Sequence, residues 1–355
     1  MTGKDLQQAI AAVRPPDEDS RAATRRRFSD IAIPLGSLGL LQDAAAQLAA
    51  VQRTVRPSIA KRAVVMFCAD NGVVAQGVTQ CGQEVTAAVT ENMGRGKSTV
   101  CLMAQHIGMD SFPVDIGVAR DVEGARILRR KVRYGTADMT QEPAMTREEA
   151  VRALETGIEL AEWCAAQGYR LVCAGEMGIG NTTSSAAVTA ALTGAAVRDV
   201  TGRGAGLSTE GLERKVKAIE AALALHRPDK NDPVDVLHKV GGLDIAGMAG
   251  FYLGAAACGL PAVLDGVISC AAALIAVRLC PAVRGYLIAA HQSAEPAGRL
   301  LLDEMGFTPF ICAGMRLGEG TGAVAAVALL DLVLAAYDGM PSFDEAGIEA
   351  YQELT

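Results

Sequence analysis

The stretch "YRLVCAGEMGIGNTTSSAAVTAALTG", residues 169–194, decides the fold. Residues 169–175 are a short apolar run suited to a buried strand, and residues 184–192 are small and apolar in a way that suits a helix. Between them lie Gly175, Gly178 and Gly180, with Glu176, Asn181, Thr182 and Thr183. A strand, a glycine turn and a helix start gather backbone N–H groups and the positive helix end at one point, a ready site for an anion. Asn181, Thr182 or Thr183 is expected to cap the helix. An ordinary capped loop between strand and helix has the same features, but Glu176 sets this one apart. A carboxylate beside an anion site helps only if the ligand also carries a cationic or proton-bearing part.

Working outward, the same alternation recurs. Residues 63–69, 111–117, 262–264 and 284–289 read as further strands. Residues 5–13, 40–52, 84–107, 146–167, 212–225, 268–279, 293–305 and 321–337 read as helices, the 40–52 segment from the spacing of Leu38, Leu41, Ala45, Leu48 and Val51. Strand alternating with helix predicts an α/β fold, a doubly wound and mostly parallel sheet flanked by helices. The terminal helices are expected to form a smaller helical lobe. No repeat, low-complexity run or long linker interrupts the chain.

Composition narrows the function. Half of the 355 residues are hydrophobic and only 4% are aromatic, which suits helices packed closely on a sheet. A net charge of −7 argues against a broad nucleic-acid or anionic-membrane surface. The nine cysteines show no CxxC or Cys/His spacing, so free thiols in a reducing compartment are expected, with no metal. The amphipathic N-terminus lacks a signal-peptide pattern, and the apolar residues 263–277 are too short to span a bilayer. A cytoplasmic protein is expected.

Two glycine loops mislead. Gly94-Arg-Gly-Lys-Ser98 has part of a P-loop, but Glu91 stands where the pattern needs glycine, and a helix rather than a strand precedes it. Gly202-Arg-Gly-Ala-Gly206 resembles a dinucleotide fingerprint, but Leu207 occupies the third glycine position. A third loop carries chemistry. Met315-Arg-Leu-Gly-Glu-Gly-Thr-Gly322 places Glu319 between Gly318 and Gly320, ahead of the apolar helix. Glycines on both sides let backbone and ligand approach closely. Two loop glutamates in glycine-rich corners point to a site that moves a proton beside a phosphate.

These residues resemble one family over nearly the whole chain. Gly175–Thr183 and Arg316-Leu-Gly-Glu-Gly320 carry the likeness most specifically, joined by Pro34–Gly39, Ala69–Val73, Glu84–Thr86, Asn92–Gly96, Val114–Gly117, Lys239–Asp244, Leu264–Gly266 and Ser293–Pro296. The chain resembles the nicotinate-nucleotide–dimethylbenzimidazole phosphoribosyltransferases, which activate the lower-ligand base of cobalamin. The resemblance implies transfer of phosphoribose from nicotinate mononucleotide to an aromatic base, without cofactor or metal. It implies Glu319 as general base and Glu176 as the second active-site glutamate. Gly178, Lys215 and Ser293 match positions near the ribose phosphate, and Gly180, Asn181 and Thr182 belong to the same loop. Leu317, Gly318 and Gly320 flank the base. The implied fold is a large catalytic domain, residues 60–322, with a small helical domain from residues 1–59 and 323–355. A homodimer is implied, or a heterodimer with a paralogue as in phenol-specific relatives. The chain departs from better-known members at Cys81 and Gly82, where several carry serine and proline. It departs also at Val89, where some carry glutamine, and at Asn71 and Leu35. A less polar base pocket is expected around Cys81 and Val89, and it leaves benzimidazole, adenine and phenolic bases open.

Overall fold

The computed structural model describes residues 5–352; residues 1–4 and 353–355, the tips of the expected helical lobe, lie outside the described residues. The sheet has six strands: β1 (Arg62–Ala69), β2 (Asp110–Gly117), β3 (Leu128–Arg129), β4 (Leu171–Met177), β5 (Ala262–Leu264) and β6 (Leu287–Ala289). All pair in parallel, in the order β3-β2-β1-β4-β5-β6. This is the doubly wound order expected of alternating strands and helices.

The central strands are apolar throughout because both faces are covered. In β1, Val65, Phe67 and Ala69 enter one core, while Val64, Met66 and Cys68 enter the other. Beneath the first core lie the helices Arg147–Ala166, Asn181–Thr193, Leu243–Ala257 and Val267–Leu279. Helices Leu40–Gln52, Thr99–His106 and Thr321–Gly339 cover the second.

Several elements differ from the sequence reading. The helical segments expected over 84–107 are two helices, Glu84–Gly94 and Thr99–His106, with Ser98 capping the second. Residues 281–286 form a 3₁₀ turn, so the expected strand over 284–289 is only its last three residues. The helix expected from 293 begins at Ala297, after Pro296, which leaves Ser293 in a loop. β4 runs two residues further than expected, so Glu176 is a strand residue. Helices Glu18–Asp30, Pro233–Val240 and Leu243–Ala257 were not anticipated. Leu243–Ala257 is buried on nearly every side, so it carries no amphipathic period to read.

Helix Thr321–Gly339 is long and apolar enough to cross a membrane by length and composition. Here it is a core helix, packed on β4, β5 and helix Leu40–Gln52, with Ala323, Val327 and Leu330 fully buried.

Candidate active site

The chain's path reverses between β1 and β4, with β2 and β3 on one side and β5 and β6 on the other. Loops leaving the carboxyl ends of those two strands part there, and doubly wound sheets bind ligands in that crevice. A cavity occupies it, walled by the 178–182 loop, residues 203–205, the 265–269 turn, Ser293 and the 316–318 segment.

Glu176 lines this cavity while only 7% exposed. Strand alternation puts it on the side of Val172 and Ala174, both in the first core. Its Oε2 accepts a short hydrogen bond from Asn181 Nδ2, and Oε1 accepts from the Glu319 N–H at 3.3 Å. Asn181 Nδ2 also donates to Asp244 Oδ2 at 2.9 Å, so two buried carboxylates share one amide. Burial, reinforced by the Asp244 charge, pushes Glu176 up to about 8. Burial likewise pushes Asp244 up to about 6. Glu176 therefore keeps its proton near neutrality until a cation arrives beside it.

The expected cap on helix Asn181–Thr193 is corrected. Gly180 holds the N-cap position in a left-handed conformation, with no side-chain cap. Asn181 is engaged by the carboxylates, and the Thr182 hydroxyl accepts from Lys215 Nζ at 2.7 Å. With no side chain folded over it, the helix start meets the cavity through Gly180, Asn181 and Thr182. Lys215 is wholly buried behind this wall, and its Nζ also donates to the Gly202 carbonyl at 3.1 Å. Burial lowers it to about 8, against the opposing pull of the Glu295 charge. A phosphate in front of Thr182 would restore its proton affinity.

Glu319 has φ +62°, one of three non-glycine residues with positive φ among those described. Gly318, at φ +82°, leaves no room for a side chain, since a Cβ would run into Glu176 Oε1. Gly175 on β4 is equally tight, because a Cβ there would collide with the Glu319 carbonyl. The glycines thus let the 318–320 loop lie directly on β4. The Glu319 side chain sits beside the N–H of Val100, a second-core residue on helix Thr99–His106. Its Oε2 is buried without a hydrogen-bond partner. Burial raises its pKa, and the Val100 N–H pulls the other way. A partly buried carboxylate with an unpaired oxygen is suited to accept a proton.

Of the other expected site residues, Gly178, Ser293, Cys81 and Leu317 line the cavity, as do Gly180, Asn181, Thr182 and Gly318. Glu319, Gly320, Lys215 and Val89 stand outside the lining; Val89 packs against the second core. Sequence reasoning missed Thr86, whose Oγ1 accepts the Ile179 N–H at 3.0 Å, and Asp244, Asp265 and His291. An aspartate directly after a buried strand, as in Leu264-Asp265, was the available signal. The 202–206 loop, set aside as a dinucleotide fingerprint, supplies Arg203 and Gly204 to the wall. Among the described residues no group of three His, Cys, Asp or Glu side chains is arranged to hold a metal.

A family model described as "Phosphoribosyltransferase" (DBI_PRT) matches residues 13–348. The chain is 46% identical over 347 residues to the nicotinate-nucleotide–dimethylbenzimidazole phosphoribosyltransferase of Acetivibrio thermocellus, covering 98% of this chain and 99% of that one. It is 46% identical over 345 residues to the protein of the same name from Geobacter metallireducens, covering 97% and 98%. Among solved structures, CobT from Thermus thermophilus superposes with a TM-score of 0.89 at 42% identity, covering 94% of this chain and 100% of that one.

Proposed function

The chain belongs to this phosphoribosyltransferase family, and we propose that it moves 5-phosphoribose from nicotinate mononucleotide to 5,6-dimethylbenzimidazole, giving an α-ribotide and nicotinate for cobalamin biosynthesis. One observation carries the reading. Two glutamates meet over Gly175, joined by the bond from the Glu319 N–H to Glu176 Oε1. One faces a cavity with a helix start and a buried lysine, and the other keeps an unpaired oxygen on the far side.

In this reading the 5′-phosphate meets the start of helix Asn181–Thr193, backed by Lys215. Gly178 and Ser293 border it, and Glu176 lies toward the ribosyl carbon. That carbon is joined to a pyridinium and becomes more cationic as the bond breaks, which a carboxylate stabilises. One ring nitrogen of the base attacks C1′ from the face opposite nicotinate. The electron pair of the breaking C–N bond goes to the nicotinate nitrogen, which leaves uncharged and needs no acid. The proton on the other ring nitrogen passes to Glu319. Leu317, Gly318 and Gly320 hold Glu319 in place, and Cys81 borders the base.

The same reading groups residues 1–59 with 323–355 as a helical lobe beside the catalytic residues 60–322, a lobe whose helices Leu40–Gln52 and Thr321–Gly339 also cover one face of the sheet. It is supported by Phe28 and Tyr337, whose rings lie 4.8 Å apart, and by the Arg27 bond to the Tyr337 carbonyl. A homodimer goes with it, supported by exposed Leu102 and Leu332 on two helices that pack together. The free cysteines fit a cytoplasmic site of action.

A second reading, transfer to phenol or p-cresol with a paralogous subunit, is favoured only by the apolar lining at Cys81. Offering dimethylbenzimidazole, adenine and p-cresol together with nicotinate mononucleotide, and weighing the ribotides by mass spectrometry, separates the two. The dimethylbenzimidazole ribotide is expected to dominate. A dominant phenolic product would select the second reading, and no ribotide at all would refute both.

A further inference from the structure

Helix Thr321–Gly339 begins without a cap of its own: Gly320 holds the N-cap position and offers no side chain. The missing acceptor comes from Asp265, more than fifty residues earlier, at the end of β5. Its Oδ2 accepts the Gly320 N–H at 3.0 Å, and its Oδ1 accepts those of Gly322 and Ala323 at 2.7 and 3.1 Å. Three N–H groups on one carboxylate at a helix N-terminus form a strong, directional clamp. The clamp is itself held from behind. The Asp265 N–H donates to Ser269 Oγ at 2.8 Å, and Ser269 shares a 2.6 Å hydrogen bond with the buried Tyr252 hydroxyl. His291 Nε2 lies 3.6 Å from Asp265 Oδ1, and its Nδ1 is buried with no hydrogen-bond partner. Asp265 is 2% exposed and His291 3%.

The clamp grips the residues that directly follow Glu319. From the other side, Glu176 takes the N–H of Glu319 itself. The left-handed turn at Glu319 is thus held between two buried carboxylates. We propose that Asp265, braced by His291, is a positioning residue that fixes the Glu319 carboxylate where it accepts the proton of the incoming base. This rests on the reading of Glu319 as proton acceptor. Misplacing a catalytic group by about 1 Å costs on the order of 10²-fold in rate, whereas in the proposed reading the nucleotide phosphate meets the start of helix Asn181–Thr193 and not Asp265. The signature is therefore a fall in kcat without a matching change in KM.

The test compares Asp265→Asn, Glu319→Gln and the double variant, with nicotinate mononucleotide and dimethylbenzimidazole. Asp265→Asn turns an amide N–H₂ against backbone donors and opens the clamp. Its kcat is expected to fall at least about tenfold, with both KM values within about threefold of the parent. The double variant is expected to be no slower than Glu319→Gln alone within about threefold, because a positioning residue has nothing left to position. Multiplicative losses, or a change confined to KM, would overturn the proposal. If Glu319→Gln is slow while Asp265→Asn keeps the parental kcat, only the positioning role fails. If Glu319→Gln itself turns over like the parent, the reading of Glu319 fails. Should Asp265→Asn not fold, His291→Asn carries the same comparison with the three N–H bonds intact. A kcat loss that vanishes in the Glu319→Gln background supports the proposal, and a parental kcat overturns it.

Discussion

Glu319 holds a backbone conformation that non-glycine residues adopt at a cost, and such strain gathers at functional sites. Its own N–H bond to Glu176 and its neighbours' bonds to Asp265 offset that cost. Glu319→Gln keeps the shape and these backbone bonds, so its melting temperature is expected to stay near the parent's. Turnover is expected to fall by about 10²–10⁴, the usual worth of a general base. A large loss of stability with little loss of turnover would make Glu319 a structural residue. Glu176 gives a pH-dependent prediction. In the empty site it holds its proton up to about 8, and a pyridinium ligand favours its ionised form. Nucleotide affinity is therefore expected to rise with pH from about 6.5, where the ligand phosphate is largely dianionic, to about 8. Binding releases a proton over that range. Above about 8 Lys215 loses its charge and affinity turns down. Calorimetric titration checks both limbs, and Glu176→Gln should lose only the rising one. A rising limb that survives in Glu176→Gln would show that another group is responsible. Both glutamates were legible in the sequence because glycines flank them closely. Asp244, Asp265 and His291 were not, because their partners lie far along the chain: Asp244 meets Asn181 from 63 residues away. Only folding reveals that an aspartate after a strand is a cap for a distant helix.

At the scale of elements, the strand–turn–helix around 175–194 was readable because a buried parallel strand and a glycine turn leave a strong local pattern. The cap was misread for the opposite reason. Three polar residues at a helix start look like caps, but here Asn181 and Thr182 serve the neighbouring carboxylates and Lys215. Helix Leu243–Ala257 escaped because a helix buried all round has no apolar stripe. Helix Thr209–His226 carries Lys215 into a buried position where Nζ ties Thr182 to the Gly202 carbonyl. Lys215→Ala removes both bonds and the charge behind the phosphate. Charge-assisted contacts are worth roughly 1.5–3 kcal/mol, so KM for the nucleotide is expected to rise by about 10- to 150-fold, with kcat at saturation changed less. The variant should also melt lower, because it leaves Thr182 and Gly202 unpaired. An unchanged KM would show that the phosphate sits elsewhere.

At the scale of the molecule, the sheet order puts the site where the chain reverses, between the ends of β1 and β4. The doubly wound class was readable from alternation alone. Strand order was not, because neighbours in the sheet are far apart in sequence: Arg62 pairs with Leu171. β3, only two residues long, left no signal at all. In the proposed reading a phosphate cradle and a proton acceptor flank the carboxyl end of β4, with the ribosyl carbon between them. Such a layout favours one displacement, with the base entering opposite the leaving nicotinate. The most direct measurement is the anomeric configuration of the ribotide formed from nicotinate mononucleotide and dimethylbenzimidazole, read by NMR alongside the nicotinate released. The expected result is an α-ribotide in equal amount to nicotinate; a β-ribotide, or nicotinate released without any ribotide, would contradict it.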